Sequence, residues 1–113
     1  MAGSNDGLMT VYRVENQAAP GDMPAERLVK KATLRYSRRT VGIRRHYAAL
    51  NAGAKVDLLL RTWYRPEVSA QDVAVPTLDG KQYRITLVQI PENAAPPVMD
   101  LTLERLERDY ELP

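Results

Sequence analysis

Side chains able to do chemistry are few in this sequence, and their types narrow its function quickly. There is no cysteine and a single histidine, His46. Disulfides, thiolate metal sites and cysteine nucleophiles are therefore excluded, and zinc and triad chemistry lack their usual residues. His46 lies between Arg45 and Tyr47 with nothing to position it as a base, so it reads as a structural or surface residue. Ser4, Ser37 and Ser69 stand in no Gly-x-Ser-x-Gly elbow, and the six glycines are isolated, so no phosphate-cradling loop is present. Asp72 and Asp79 fall at a hairpin start and a turn, where Asp is expected for backbone reasons. No catalytic residue, metal ligand or cofactor-binding residue stands out. The chain reads as a protein that is not an enzyme.

Basic residues are the chemistry that remains. The formal net charge is only +2, yet no acid occurs between Glu26 and Asp57, while nine of the sixteen Lys and Arg fall there: Arg27, Lys30, Lys31, Arg35, Arg38, Arg39, Arg44, Arg45 and Lys55. Such a block is the electrostatic footprint of a phosphate-binding surface or of an acidic protein partner, and it is also what a solvated strand and helix face looks like. The C-terminal end leans the other way, with Asp100, Glu104, Glu107, Asp109 and Glu111 against Arg105 and Arg108. In a ring, one subunit's acidic end could meet its neighbour's basic segment. Tyr36 and Tyr47 flank the arginines, but both fall on the apolar phase of their elements, which places them in the core rather than on a base-stacking surface.

The elements that position these residues are mostly strands. Leu8–Val14 is rich in β-formers. Residues 15–24 hold Asn16, Pro20, Gly21 and Pro24 and read as a long loop. From Arg27 to Tyr36, Ala32, Leu34 and Tyr36 alternate with Lys31, Thr33 and Arg35, giving a strand with one basic face. Ile43, Tyr47 and Leu50 then follow at helical spacing, with Thr40 as N-cap and Gly53 at the end, predicting a short helix over about 41–52. Lys55–Tyr64 returns to period two. Val56, Leu58, Leu60, Thr62 and Tyr64 share one face, and Leu59 and Trp63 on the other need cover from the helix or a partner. Asp72–Leu78 and Lys81–Ile90 flank Asp79-Gly80, a type I′ hairpin signal, with Tyr83, Ile85 and Leu87 on one phase of the second arm. Pro91, Pro96 and Pro97 exclude a strand there. A last strand runs from about Val98 through Glu104.

The expected fold is mainly β: a small antiparallel barrel or sandwich with one short helix and long loops. At 113 residues there is room for one domain, read as a mobile tail over residues 1–7 and a single domain over 8–113. The first residues carry an acid and no basic stretch, and the longest strongly apolar run is Leu58-Leu59-Leu60. No signal peptide or membrane span is expected, which points to a soluble protein made in a cytoplasm.

From Ser37 through Leu106 the sequence resembles the phage head–tail joining proteins, also called head-closure, stopper or connector proteins. The features that carry the resemblance are Arg38-Arg39-Thr40-Val41-Gly42 leading into the helix, Tyr64-Arg65-Pro66 after an apolar strand, and Gln71-Asp72-Val73-Ala74-Val75. They continue with Asp79-Gly80-Lys81-Gln82-Tyr83-Arg84-Ile85 running on to Val88, and end in Asp100-Leu101-Thr102-Leu103-Glu104-Arg105. Each is weak alone; their order and spacing are more specific.

The resemblance implies a small β-barrel assembled as a dodecameric ring beneath the portal of a tailed phage, within the virion at the head–tail junction. Such a ring seals the packaged genome and gives the tail a platform. Its partners would be other copies of itself, a portal or adaptor protein on the head side, a tail protein on the other, and double-stranded DNA held through phosphates, with no membrane and no cofactor. Relatives reach towards the lumen or portal with the segment that maps here to about 35–45, making Arg35, Arg38, Arg39, Arg44 and Arg45 its candidate contacts. Leu59, Trp63, Glu104, Glu107 and Asp109 are then candidates for subunit or tail contacts. Two rival readings remain: a tail terminator or tail-completion ring, and a monomeric basic barrel that binds nucleic acid.

Overall fold

The structure, a computed structural model, describes residues 6–16, 19–21, 25–39 and 56–113. Six strands carry the described fold: β1 (Gly7–Asn16), β2 (Glu26–Arg38), β3 (Leu58–Trp63), β4 (Val73–Pro76), β5 (Tyr83–Gln89) and β6 (Val98–Arg105). All pairings are antiparallel, and the strands close on themselves in the order β1-β2-β3-β6-β5-β4. The mainly β fold read from the sequence is what forms, and of the barrel and sandwich left open there, the strand pairing makes a closed barrel. The helix expected over 41–52, with Ile43, His46 and Tyr47, lies outside the described residues.

Closure is uneven. β1 and β2 pair over the whole of β1, and β3 and β6 over six residues, but β2 meets β3 only at Ser37 and Arg38, and β4 meets β5 only at Val73 and Ala74. The β2–β3 seam is reinforced from inside. Buried Thr62 donates its hydroxyl to the Arg35 carbonyl at 2.6 Å, which joins the strands where the ladder stops. Met9, Val11, Leu34, Tyr36, Leu60, Ile85, Met99, Leu101 and Leu103 fill the interior from every strand except short β4, which adds Ala74. These are the alternating apolar positions, as half-buried strands require.

Two β-bulges shift phases that the alternation alone sets wrongly. Val11 lies opposite Ala32 and Tyr12 opposite Lys30, so Lys31 is the extra residue on β2. Lys31 leaves the exposed basic face expected for it, and its ammonium pairs with the buried Asp72 carboxylate at 2.7 Å. On β5 the bulge falls between Ile85 and Leu87. Beyond it Val88, not Leu87, packs against the core.

The hairpin between β4 and β5 is present, but Asp79-Gly80 is not a two-residue type I′ turn. Only Gly80 has positive φ (68°), and its amide bonds the Pro76 carbonyl at 2.9 Å, closing a wider loop. The reason lies in the residues before it. The Thr77 amide is held by the Leu8 carbonyl and the Leu78 amide by the Tyr36 hydroxyl, so the ladder cannot continue to the tip. Gly7 belongs to the same packing: a Cβ there would sit 2.6 Å from Thr77 Oγ1 and 2.9 Å from Tyr36 Oη.

Candidate nucleic-acid and protein interfaces

β2 delivers the basic residues. Strand alternation points Leu34 and Tyr36 inward and leaves Arg35 exposed between them. Arg38 and Arg39 follow at the end of the strand, both exposed. Their backbones are fixed by the Asp6 carboxylate, which accepts from the Arg38 amide at 2.6 Å, and by the Leu59 carbonyl, which accepts from the Arg39 amide at 2.8 Å. Their guanidinium groups make no ion pair with any described residue. Arg35, Arg38 and Arg39 are thus exposed along the second half of β2, with no ion-pair partner among the described residues; the register sets Arg38 opposite Leu60, while the Arg35 carbonyl accepts from Thr62 near the other end of β3. Arg44 and Arg45 lie outside the described residues. Tyr36 is fully buried, as its phase predicts, so it offers no ring to a base.

The expected interface pair on β3 separates. Leu59 is only 7% exposed, so the chain itself covers it, and it is withdrawn as a contact residue. It lies opposite Thr102 of β6, which is also buried. Trp63 is 46% exposed at the far end of β3. Tyr64, expected on the apolar face, instead lies beyond the strand and is 41% exposed, its amide bonded to the Pro97 carbonyl. Trp63 pairs with Val98 across the ladder, and exposed Ile90 follows β5 at the same end. Between this apolar rim and Leu59, Arg61 grips Asp100 with two nitrogens at 2.8 and 3.0 Å, a fork that fixes β3 against β6.

The C-terminal acids are not a loose tail. Arg105 donates to the Gln82 and Leu106 carbonyls at 3.0 Å and to the Asp109 carboxylate at 2.7 Å. Buried Gln82 then pairs with the Tyr110 backbone as another strand would, accepting at Oε1 and donating at Nε2. Asp109 is therefore engaged by Arg105 within its own chain while its carboxylate stays exposed. Glu107 stays exposed, and Glu104 is half-buried on β6. Beside this clamp Tyr83 donates to Asp79 at 2.5 Å. Burial, followed by that hydrogen bond and the carboxylate's charge, pushes the Tyr83 hydroxyl up to about 12. Burial opposes ionisation of Asp79 too, but hydrogen bonds from Tyr83 and the Lys81 amide outweigh it and hold the carboxyl below its ordinary value.

A groove of about 830 Å³ lies outside the narrow β4–β5 seam, between the start of β2 and the clamped C-terminal segment. Arg84, Thr86 and Glu104 line it from β5 and β6, with Glu26, Gln71 and Glu107 around them. Arg84 Nε is buried without a hydrogen-bond partner, and its Nη2 lies 3.4 Å from the Tyr110 hydroxyl. Sequence reasoning missed this site because its residues come from four separate stretches. The only signal was the Gln82-Tyr83-Arg84 run, which it read as a hairpin arm.

No family model matches the chain, and no curated protein matches it. Among solved structures, the solution structure of protein SF1141 from Shigella flexneri 2a, a Northeast structural genomics consortium target, has a similar fold. The TM-score is 0.61 at 17% identity, over 91% of this chain and 94% of that one. That likeness extends the shared fold over nearly the whole of both chains.

Proposed function

We propose that this chain is a structural protein of the phage neck, forming a ring under the portal that closes the DNA-filled head and receives the tail. One observation carries the reading: the two ends of β3 present different chemistry. Beside its first half stand exposed Arg38, opposite Leu60, and Arg39, whose amide bonds the Leu59 carbonyl, and at its end stand exposed Trp63 and Tyr64, with Trp63 roughly 10–13 Å further along the strand. A joining protein needs two unlike contact surfaces on one rigid body, and a closed barrel keeps them apart. The resemblance read from the sequence supplies the partners. A ring, dodecameric by that resemblance, multiplies each arginine by the subunit number, so Arg35, Arg38 and Arg39 would act on DNA phosphates or an acidic portal surface as a strong collective field. Such contacts hold DNA without reading its bases. Trp63 and Tyr64, with the large amphipathic rings that dominate interface energetics, suit a protein contact on the tail side or between subunits. The protein's place is then the virion's head–tail junction.

The experiment is deletion of the coding sequence from the phage genome that carries it. Heads that package DNA but lose it, together with free complete tails, are the expected products. Normal tailed particles, or empty heads with unpackaged DNA, would overturn the reading.

A further inference from the structure

Two exposed leucines stand where β1, β2 and the β4–β5 loop meet. Leu8, 43% exposed, lies opposite exposed Arg35 across the β1–β2 ladder, which sets their side chains about 5 Å apart at Cβ. On its other side the Leu8 carbonyl accepts from the Thr77 amide at 2.8 Å, and Leu78, 45% exposed, is the next residue. Both backbones are held. The Leu8 amide donates to Thr77 Oγ1 at 3.2 Å, and the Leu78 amide to the hydroxyl of buried Tyr36 at 3.1 Å. Gly7 lets this corner close, since a Cβ there would run into both Thr77 Oγ1 and Tyr36 Oη. Further along β2, exposed Arg38 adds a second cation. The acids nearby are turned to donors of their own chain: Asp6 to the Arg38 amide, and Asp79 to the Tyr83 hydroxyl and the Lys81 amide.

We propose that this corner, Leu8 and Leu78 with Arg35 and Arg38, docks a protein surface that carries carboxylates around an apolar contact, and does not hold DNA. This rests on the neck reading and deepens it: of DNA and portal, these two arginines meet the portal. Single exposed leucines are ordinary. Two on one hydrogen-bonded corner, beside guanidinium groups with no ion-pair partner among the described residues, make a mixed surface instead. A duplex is gripped through its phosphates, which take cations and hydrogen-bond donors and gain nothing from leucine methyls. A protein interface has the makeup seen here, an apolar centre with arginine enriched and lysine depleted. Unpaired arginines call for acids on the partner, which steer the encounter as well as pair in the complex. A corner already fixed by its own hydrogen bonds also loses little freedom when it docks.

Three full-length proteins are offered to portal rings of the same phage and to a short DNA duplex, at low and moderate salt. They are wild type, a leucine variant (Leu8→Thr, which suits a strand, with Leu78→Ser) and an arginine variant (Arg35→Gln with Arg38→Gln). All four positions are exposed, and circular dichroism with melting curves establishes that the variants are folded. Co-sedimentation reads loading on the ring, and fluorescence anisotropy reads the duplex. The leucine variant should load the portal about tenfold more weakly at both salts, because lost apolar burial is not screened. The arginine variant should be weakened about threefold to tenfold at low salt and less at moderate salt. Duplex binding should be weak and the same for the leucine variant as for wild type. Free in solution, the leucine variant and wild type should have the same mass by light scattering; a lower mass for the variant would give the corner to a second copy and overturn the proposal. A leucine variant that loads like wild type would also overturn it and leave the neck reading standing, and loss of duplex binding by the arginine variant would then return the corner to DNA. A wild type that loads no portal would remove both.

Discussion

The Lys31–Asp72 pair is where the barrel's construction is most exposed to test. The β2 bulge turns Lys31 inward, and Asp72 just before β4 accepts its ammonium at 2.7 Å together with the Ser69 amide at 2.9 Å. Their side chains retain only 16% and 8% of their exposure. Lys31→Met keeps the packing of the stem but strips Asp72 of its cation. Breaking a buried pair costs about 3–5 kcal/mol, and because the Ser69 bonds survive we expect the lower end, about 3 kcal/mol. At about 5 °C per kcal/mol for a domain of this size, Tm should fall by about 15 °C. Asp72→Asn should cost less, about 1–2 kcal/mol, because the lysine's flexible stem can carry its charge out to water. The double variant should be more stable than the sum of the two losses predicts, by at least 1 kcal/mol. Urea and thermal unfolding of the four proteins measure this cycle. A loss under about 0.5 kcal/mol for Lys31→Met, or strict additivity, would refute the claim that the bulge places a coupled ion pair.

Thr62→Val removes the hydroxyl that closes the β2–β3 seam. It should cost about 1–2 kcal/mol in urea unfolding and speed hydrogen exchange at the Arg39 amide. Gly7→Ala drives a methyl into Thr77 and Tyr36, and differential scanning calorimetry should show a loss of about 1–3 kcal/mol. Tyr83 should ionise near 12 in an absorbance titration. Because its folded value lies above its unfolded value of 10, its contribution to stability is complete below pH 10, declines through that interval and is gone above 12. Tyr83→Phe should flatten that alkaline decline. Trp63, the one tryptophan, should be readily quenched by iodide in the free protein and protected when the tail-side or subunit contact forms.

Strand positions and core faces were legible because burial on one side imposes a period of two that Leu34, Tyr36, Leu60, Ile85, Leu101 and Leu103 all keep. The bulges were not, since a single extra residue leaves the alternation on each side intact and only the pairing shows the slip at Lys31 and Thr86. The Asp79-Gly80 turn was located correctly but typed wrongly, because its geometry depends on Leu8 and Tyr36, distant in sequence. Exposure of Arg35 followed from its charge and phase, whereas Arg38 shares the phase of buried Leu34 and Tyr36 and is exposed because the strand ends there. Burial of Leu59 did not follow, as alternation says which way a side chain points and not what covers it. The groove was invisible for a similar reason: Gln71, Arg84, Glu104 and Glu107 meet only after the C-terminal segment is clamped by Arg105 and Gln82.

The most direct test of the neck reading is the mass of the purified protein, alone and mixed with the portal ring of the same phage, by light scattering at low and moderate salt. The account predicts that the chain joins the portal as a full ring of copies. A chain that ignores the portal and instead binds DNA as a monomer, steeply weakened by salt, would contradict it.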